Sequence, residues 1–212
     1  MLTENENKKG SLEVICGPMF SGKSEELIRR LKRAQIAKQK VLTCKHSLDN
    51  RYMIECIISH DGNKLEAEAI ENVDDIMRLG KNKDIEVIGI DEVQWFNSKI
   101  VTIICDLIES GKRIIVAGYE LDFRAKPVGP MPILLSIADK VTKLQAICSI
   151  CGKDANLTQR LVNNKPAKYT DPDIVVGGLE GYQARCRNCH EIDSPQPWHI
   201  EKKTNKNAQN NT

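Results

Sequence analysis

Residues 17–24 read Gly-Pro-Met-Phe-Ser-Gly-Lys-Ser and match GxxxxGK[ST] at every fixed position. Glycines at such positions let backbone N–H groups turn inward onto phosphate oxygens, and a helix that follows presents its positive end to the same charge. The run Gly17, Pro18, Met19, Phe20, Ser21, Gly22, Lys23 and Ser24 is therefore expected to hold a nucleoside triphosphate. Lys23 would reach the β and γ phosphates, and the Ser24 hydroxyl would ligate Mg²⁺. Further along, IEVIGIDE ends on Asp91 and Glu92, at the carboxyl end of an apolar strand where ligands of open α/β sheets collect. Asp91 suits a magnesium ligand, directly or through water, and Glu92 suits an acceptor for the proton of an attacking oxygen. Which oxygen attacks stays open here, because such a glutamate serves water in an ATP-hydrolysing machine as readily as a hydroxyl in a kinase.

Of the eight cysteines, four fall as CSIC (Cys148, Cys151) and CRNC (Cys186, Cys189), separated by 34 residues. Two such turns can close a tetrahedral structural zinc site of four thiolates, with no open position for catalysis. His190 follows directly and could replace Cys189 as a ligand. Cys16, Cys44, Cys56 and Cys105 lie in apolar or mixed runs and are expected to be small core residues. A zinc site by itself also suits an adaptor for nucleic acid or protein, a class that has no use for a phosphate loop.

The elements that must position these groups follow from periodicity. Residues 12–16, 40–44, 86–90 and 114–117 are short apolar runs that read as strands, the third almost continuously apolar as in a sheet covered on both faces. Between them Leu27, Ile28, Leu31 and Ala34 recur at helical spacing among Arg29, Arg30, Lys32 and Arg33, which predicts an amphipathic helix with a basic outer face. Further helices are expected over 74–79 and 98–109, the latter stopped by Gly111. Alternation of this kind implies an α/β domain with a parallel central sheet. YELDFRAKPVGPMP, with three prolines in fourteen residues, is expected to be a long structured loop. The divisions read from composition are a flexible start at 1–10, a nucleotide-binding domain at 11–139, a small zinc-bearing domain at 140–197 and a disordered polar tail at 198–212.

Apolar residues at 41% and charged residues at 28% exclude a wholly disordered or fibrous chain. The formal charge of +2 is carried entirely by the last twelve residues, so residues 1–200 sum to zero, which counts against binding of polymeric nucleic acid. No apolar run is long enough to span a membrane and the start has no secretory signal, so a cytoplasmic protein is expected.

Taken together, GPMFSGKSEELIRR, IDEVQWF, GYELDFRAKPVGPMP and DIVVGGLEGYQARCRNCH resemble, in order and spacing, the cytosolic, zinc-containing thymidine kinases. The resemblance covers about residues 11–195 and implies a P-loop domain followed by a lasso that closes over the nucleoside. It implies transfer of the γ-phosphoryl of ATP to thymidine, with Mg²⁺ and a structural Zn²⁺. Position by position, Glu92 matches the catalytic base and Gln94 falls among the nucleotide contacts. Met19, Trp95, Phe123 and Tyr182 match residues lining the base pocket, and Thr158 matches one beside the thymine methyl. Val176, Gly177 and Gly178 match backbone contacts, while Asp49 and Arg51 match residues that approach the phosphates or metal from a loop. Six of the nine aromatics (Phe20, Trp95, Phe96, Tyr119, Phe123, Tyr182) lie in these motifs, as a pocket for a planar ligand requires. Trp95 stands where a phenylalanine is usual, and Val128 where KPFGP is common. The resemblance further implies a homotetramer and inhibition by thymidine triphosphate.

Overall fold

The computed structural model describes residues 9–48, 56–58, 64–172 and 181–193. Strand β1 (Ser11–Cys16) leads through the glycine-rich turn into α1 (Lys23–Ile36) and then β2 (Val41–His46). A short antiparallel pair, β3 (Cys56–Ile58) with β4 (Lys64–Glu66), precedes β5 (Glu68–Ile70) and α2 (Val73–Gly80). Next come β6 (Val87–Asp91), a single 3₁₀ turn (Val93–Trp95), α3 (Lys99–Glu109), β7 (Arg113–Gly118), α4 (Met131–Ile137) and β8 (Lys140–Lys143). Among the described residues the main sheet has six strands in the order β5-β2-β6-β7-β1-β8, and every neighbouring pair is parallel. This is the α/β class expected from the alternating pattern.

Side-chain alternation divides the apolar core between the two faces of the sheet. Leu12, Val14, Ile88, Ile90, Ile114 and Val116 pack with Val73 and Ile76 of α2, Ile100 to Leu107 of α3, and Met131 and Leu134 of α4. On the other face Ile15, Val87, Ile115 and Ala117 pack under Leu27, Ile28, Leu31 and Ala34 of α1. Parallel strands read as continuous apolar runs because both of these layers must be filled. At Gly89 the absence of a side chain is what lets α1 approach, since a Cβ there would come within 2.4 Å of Leu31 Cδ1.

Four expectations need adjustment. Arg30 is not on the outer face of α1: it is 6% exposed and its guanidinium is held by Glu13, Glu26 and Thr142, which ties α1 to β1 and β8. The proline-rich stretch ends at Pro130, and Met131–Ile137 forms a helix with a proline in its first turn, where a missing N–H costs nothing. Residues 140–143 are the last strand of the main sheet, paired in parallel with β1, so the sheet extends four residues beyond the change in composition at 139/140. Cys16 and Cys44 are buried as expected, burial pushing their thiols up to about 11 and about 12. Cys105 is exposed, because the buried stripe of α3 runs through Ile100, Ile103, Ile104 and Leu107 and leaves position 105 outside.

After β8 the architecture changes to short antiparallel pieces: β9 (Ala146–Ile147) with β10 (Asp154–Ala155), and β11 (Leu157–Val162) between β12 (Lys165–Pro166) and β13 (Tyr182–Arg185). Its buried cluster is Ala146, Cys148, Ala155, Ala184 and Cys186, with Cys189 packed against it. No helix among the described residues is long and apolar enough to cross a membrane.

Candidate active site

Because β7 lies between β1 and β6, the segments leaving the carboxyl ends of these three strands open side by side: 17–22, 92–96 and 119–130. Gly17 is pressed against the end of β8, where a Cβ would sit 2.5 Å from Leu144 O. Lys23 is the first residue of α1, and its Nζ donates to Pro18 O at 2.7 Å, as does Ser21 Oγ at 2.8 Å. Ser24 follows, half-buried in the first helical turn. The Met19 N–H donates to Thr158 Oγ1 at 3.0 Å, so the glycine-rich turn is joined to β11 of the antiparallel region. Phe20 adopts a left-handed backbone conformation (φ 67°) and is 38% exposed.

At the end of β6 both carboxylates are buried, Asp91 at 4% exposure and Glu92 at 8%. Glu92 has φ 53° and ψ 39°, a left-handed conformation that costs a non-glycine residue of order 1 kcal/mol or more and that clusters at working sites. Three contacts or constraints hold it: its N–H donates to Asp91 Oδ1 at 3.0 Å, the 3₁₀ turn starts from it, and Gln94 Nε2 donates to its Oε2 at 2.5 Å. Gln94 is itself buried, with its Nε2 directed onto Glu92.

The aromatic groups flank this corner. Trp95 Nε1 donates to Tyr119 Oη at 3.0 Å, and the His46 ring lies edge-on to Trp95 and 4.6 Å from Phe96. Burial pushes the Tyr119 phenol up to about 12 and the His46 imidazole down, so both are neutral near pH 7. Phe123 is 3% exposed, with the guanidinium of Arg124 at 5.0 Å and that of Arg160 at 5.5 Å from its ring centre. The turn carrying Phe123 is set by Asp122, which accepts the N–H groups of Arg124 and Lys126, each at 2.8 Å. Tyr182 begins β13, paired with Arg160 of β11, next to which Thr158 is buried. Asp49, Arg51, Val176, Gly177 and Gly178 lie outside the described residues.

Sequence reasoning gave no role to His46, Arg124, Arg160 or Asp122. Asp122 alone carried a local signal, since an aspartate two and four residues before backbone donors favours such a turn. His46 and Arg160 meet their aromatic partners only through tertiary packing, whereas Arg124 lies beside Phe123 in sequence. Glu120 was also missed; it is buried, with Lys143 Nζ 3.1 Å from its Oε1.

The four paired cysteines converge. CSIC forms the turn between β9 and β10, CRNC follows β13, and the sulfurs of Cys148, Cys151, Cys186 and Cys189 all lie within 4.8 Å of one another. Cys151 and Cys186 Sγ are 3.6 Å apart; sulfurs at zinc-bond length from a tetrahedral ion stand about 3.8 Å from one another. Burial opposes ionisation at Cys148, yet the backbone N–H groups around it hold its thiol below the ordinary range, while hydrogen bonding to the sulfurs of Cys186 and Cys151 pushes Cys189 up. The soft donors and their spacing fit zinc. His190, the alternative ligand, is elsewhere: its Nε2 hydrogen-bonds Phe123 O at 2.9 Å.

The family model for thymidine kinase matches residues 10–190. A curated relative, the thymidine kinase of Coprothermobacter proteolyticus, is 54% identical over 183 residues, which is 86% of this chain and 91% of that protein. With the model matched over most of its length and a relative more than half identical, the chain belongs to the thymidine kinase family.

Proposed function

We propose that the chain transfers the γ-phosphoryl group of ATP to the 5′-hydroxyl of thymidine, with Glu92 as the base. The observation that carries this reading is the restraint on Glu92, a buried carboxylate in a left-handed conformation held by Gln94 beside the phosphate loop. The residue nearest the nucleophile in such a transfer must accept one proton at one place, and rigid placement serves that. Gln94 is then an orienting group for Glu92. Lys23 neutralises charge on the transferred phosphoryl, for which it leaves Pro18 O. Ser24 and Asp91 offer the hard oxygen donors that suit Mg²⁺, which when bound with ATP screens the phosphate charge. Asp49 and Arg51 are assigned to the same phosphates.

For the nucleoside, Met19, Trp95, Phe123, Thr158, Tyr182 and the backbone of Val176, Gly177 and Gly178 form the proposed pocket, with residues 11–143 as the nucleotide-binding body and 144–197 as the lasso. The Met19 to Thr158 hydrogen bond supports a pocket built from both. Zinc at Cys148, Cys151, Cys186 and Cys189 is structural in this reading. The resemblance in motifs supports a homotetramer inhibited by thymidine triphosphate, and unoxidised thiol pairs suit a cytoplasmic location.

ATP consumption with and without deoxynucleosides tests the reaction. The expected result is turnover with thymidine, far less with deoxyadenosine, and almost none with ATP alone. Rapid hydrolysis of ATP without a nucleoside would make the chain a hydrolytic machine instead.

A further inference from the structure

We propose that His190 is a positioning residue that couples the four-cysteine cluster to the nucleoside pocket through the Phe123 carbonyl. The proposal rests on the reading of Phe123 as a wall of that pocket.

Its place in the chain fixes where the imidazole starts. Within the CRNC turn the N–H groups of Cys189 and His190 both donate to Cys186 O, at 3.1 and 3.0 Å, so the His190 backbone belongs to the turn that presents two of the four sulfurs. Its side chain then leaves the cluster. A carbonyl can only accept, so Nε2 carries the ring hydrogen and donates to Phe123 O at 2.9 Å, a bond between residues 67 positions apart. His190 is 9% exposed, and its Nδ1 is buried with no hydrogen-bond partner among the described residues, so the bond to Phe123 O is the one that holds the ring.

The next residue is gripped as well. Glu191 N–H donates to Gln159 Oε1 at 2.8 Å, Gln159 Nε2 donates to Glu191 O at 3.0 Å, and Gln159 is fully buried. Thr158, adjacent to Gln159, accepts the Met19 N–H of the phosphate loop. Hydrogen bonds therefore run from the sulfur-bearing turn to Phe123 on one side and, by way of β11, to the phosphate loop on the other. Phe123 sits on a five-residue turn, Asp122 to Lys126, closed by two local bonds: Asp122 N–H to Lys126 O at 2.8 Å and Ala125 N–H to Asp122 O at 2.9 Å. Those bonds shape the turn but do not fix where it stands relative to the antiparallel region. Arg124 Nη1 donating to Tyr169 O at 3.3 Å, the Arg160 guanidinium on the Phe123 ring and the His190 donor do that together, and of the three the His190 donor is the one that starts in the sulfur-bearing turn, where zinc would fix it.

His190→Ala and His190→Gln test this, the glutamine because its amide can still donate. Metal analysis should find one zinc per chain in both. His190→Ala should weaken thymidine binding about tenfold, the scale of one buried hydrogen bond lost with its acceptor left unpaired. It should raise KM for thymidine by a similar factor, change kcat less than about twofold and leave ATP affinity unchanged. His190→Gln should recover most of the loss. In the nucleoside-free protein, amide exchange at Asp122 and Ala125 should quicken in His190→Ala with zinc bound, as it should in the wild type stripped of zinc. Unchanged thymidine affinity with unchanged exchange would overturn the proposal, as would zinc loss from His190→Ala or a glutamine variant as weak as the alanine. A wild type that binds no thymidine would overturn the functional reading instead, and the exchange arm would still decide the role of His190.

Discussion

The parallel body and the antiparallel region after β8 are stabilised by different means. In the body, isoleucine, leucine and valine fill two continuous layers, one on each face of the sheet. Among the described residues of the antiparallel region the buried apolar cluster is made of alanines and cysteines, with Leu157 buried outside it. Alanine buries little area, and at roughly 25 cal/mol per Å² such a core cannot offset the entropy of ordering the chain around it. Cysteines there are core and candidate metal site at once, so zinc bound to them would supply folding free energy that the cluster's packing does not. The difference teaches where each function can be placed. A rigid sheet can hold a strained buried glutamate such as Glu92, the proposed base, whereas a region whose sulfurs meet at one point could be ordered as a unit by a metal bound there.

This comparison can be broken at several points, and the largest effect is expected at Glu92. Glu92→Gln keeps the shape but removes the proton acceptor, so turnover should fall about 10²- to 10⁴-fold while calorimetry finds ATP and thymidine still bound. Near-normal turnover would remove the base from the body and with it the division of labour. Lys23→Ala should differ in kind: it deletes a charge that meets ATP before and during transfer, so ATP affinity should fall at least about tenfold together with the rate. Binding unaffected by that change would disqualify Lys23 as the phosphate anchor.

Smaller effects report on the body's packing. Gly89→Ala places a Cβ 2.4 Å from Leu31 Cδ1 and should cost about 1–3 kcal/mol in chemical denaturation, with the antiparallel region unaffected. No loss would mean that α1 does not rest on β6 as described. Glu26 gives the smallest effect. Hydrogen bonds from Arg29 and then Arg30 lower its carboxyl from 4.5 to about 2 against the opposing effect of burial. A group whose pKa is depressed by folding stabilises above its unfolded value and loses that contribution as pH falls. The Glu26 contribution is therefore complete above about pH 5, shrinks from 4.5 down towards 2, and is worth less than about 1 kcal/mol at this half-screened position. Glu26→Gln should flatten the acid limb of the stability curve over that window; an unchanged limb would show that the pair contributes nothing.

Much of the body was legible because its signals are local. The apolar runs of β1, β6 and β7, the helical spacing of Leu27, Ile28, Leu31 and Ala34, and the phosphate loop between strand and helix each require only near neighbours in sequence. Position 30 was misread because a basic residue in a basic run looks solvated; Glu13 and Thr142, which bury it, are distant in the chain. The helix at 131–137 was hidden by its own prolines, which suit a first turn as well as a loop. In the candidate site the cysteine spacing announced its cluster, yet the ring of His46 against Trp95, the Arg160 guanidinium on Phe123 and the His190 bond join residues tens of positions apart, for which a single sequence holds no pattern.

The division between body and zinc-dependent region is tested most directly by titrating ATP and thymidine, separately, into the zinc-loaded protein and into protein stripped of zinc by a chelator. The account predicts that stripping abolishes thymidine binding, leaves ATP affinity within about threefold, and preserves the main unfolding transition of the sheet. Thymidine binding that survives the loss of zinc, or ATP binding that disappears with it, would contradict the account.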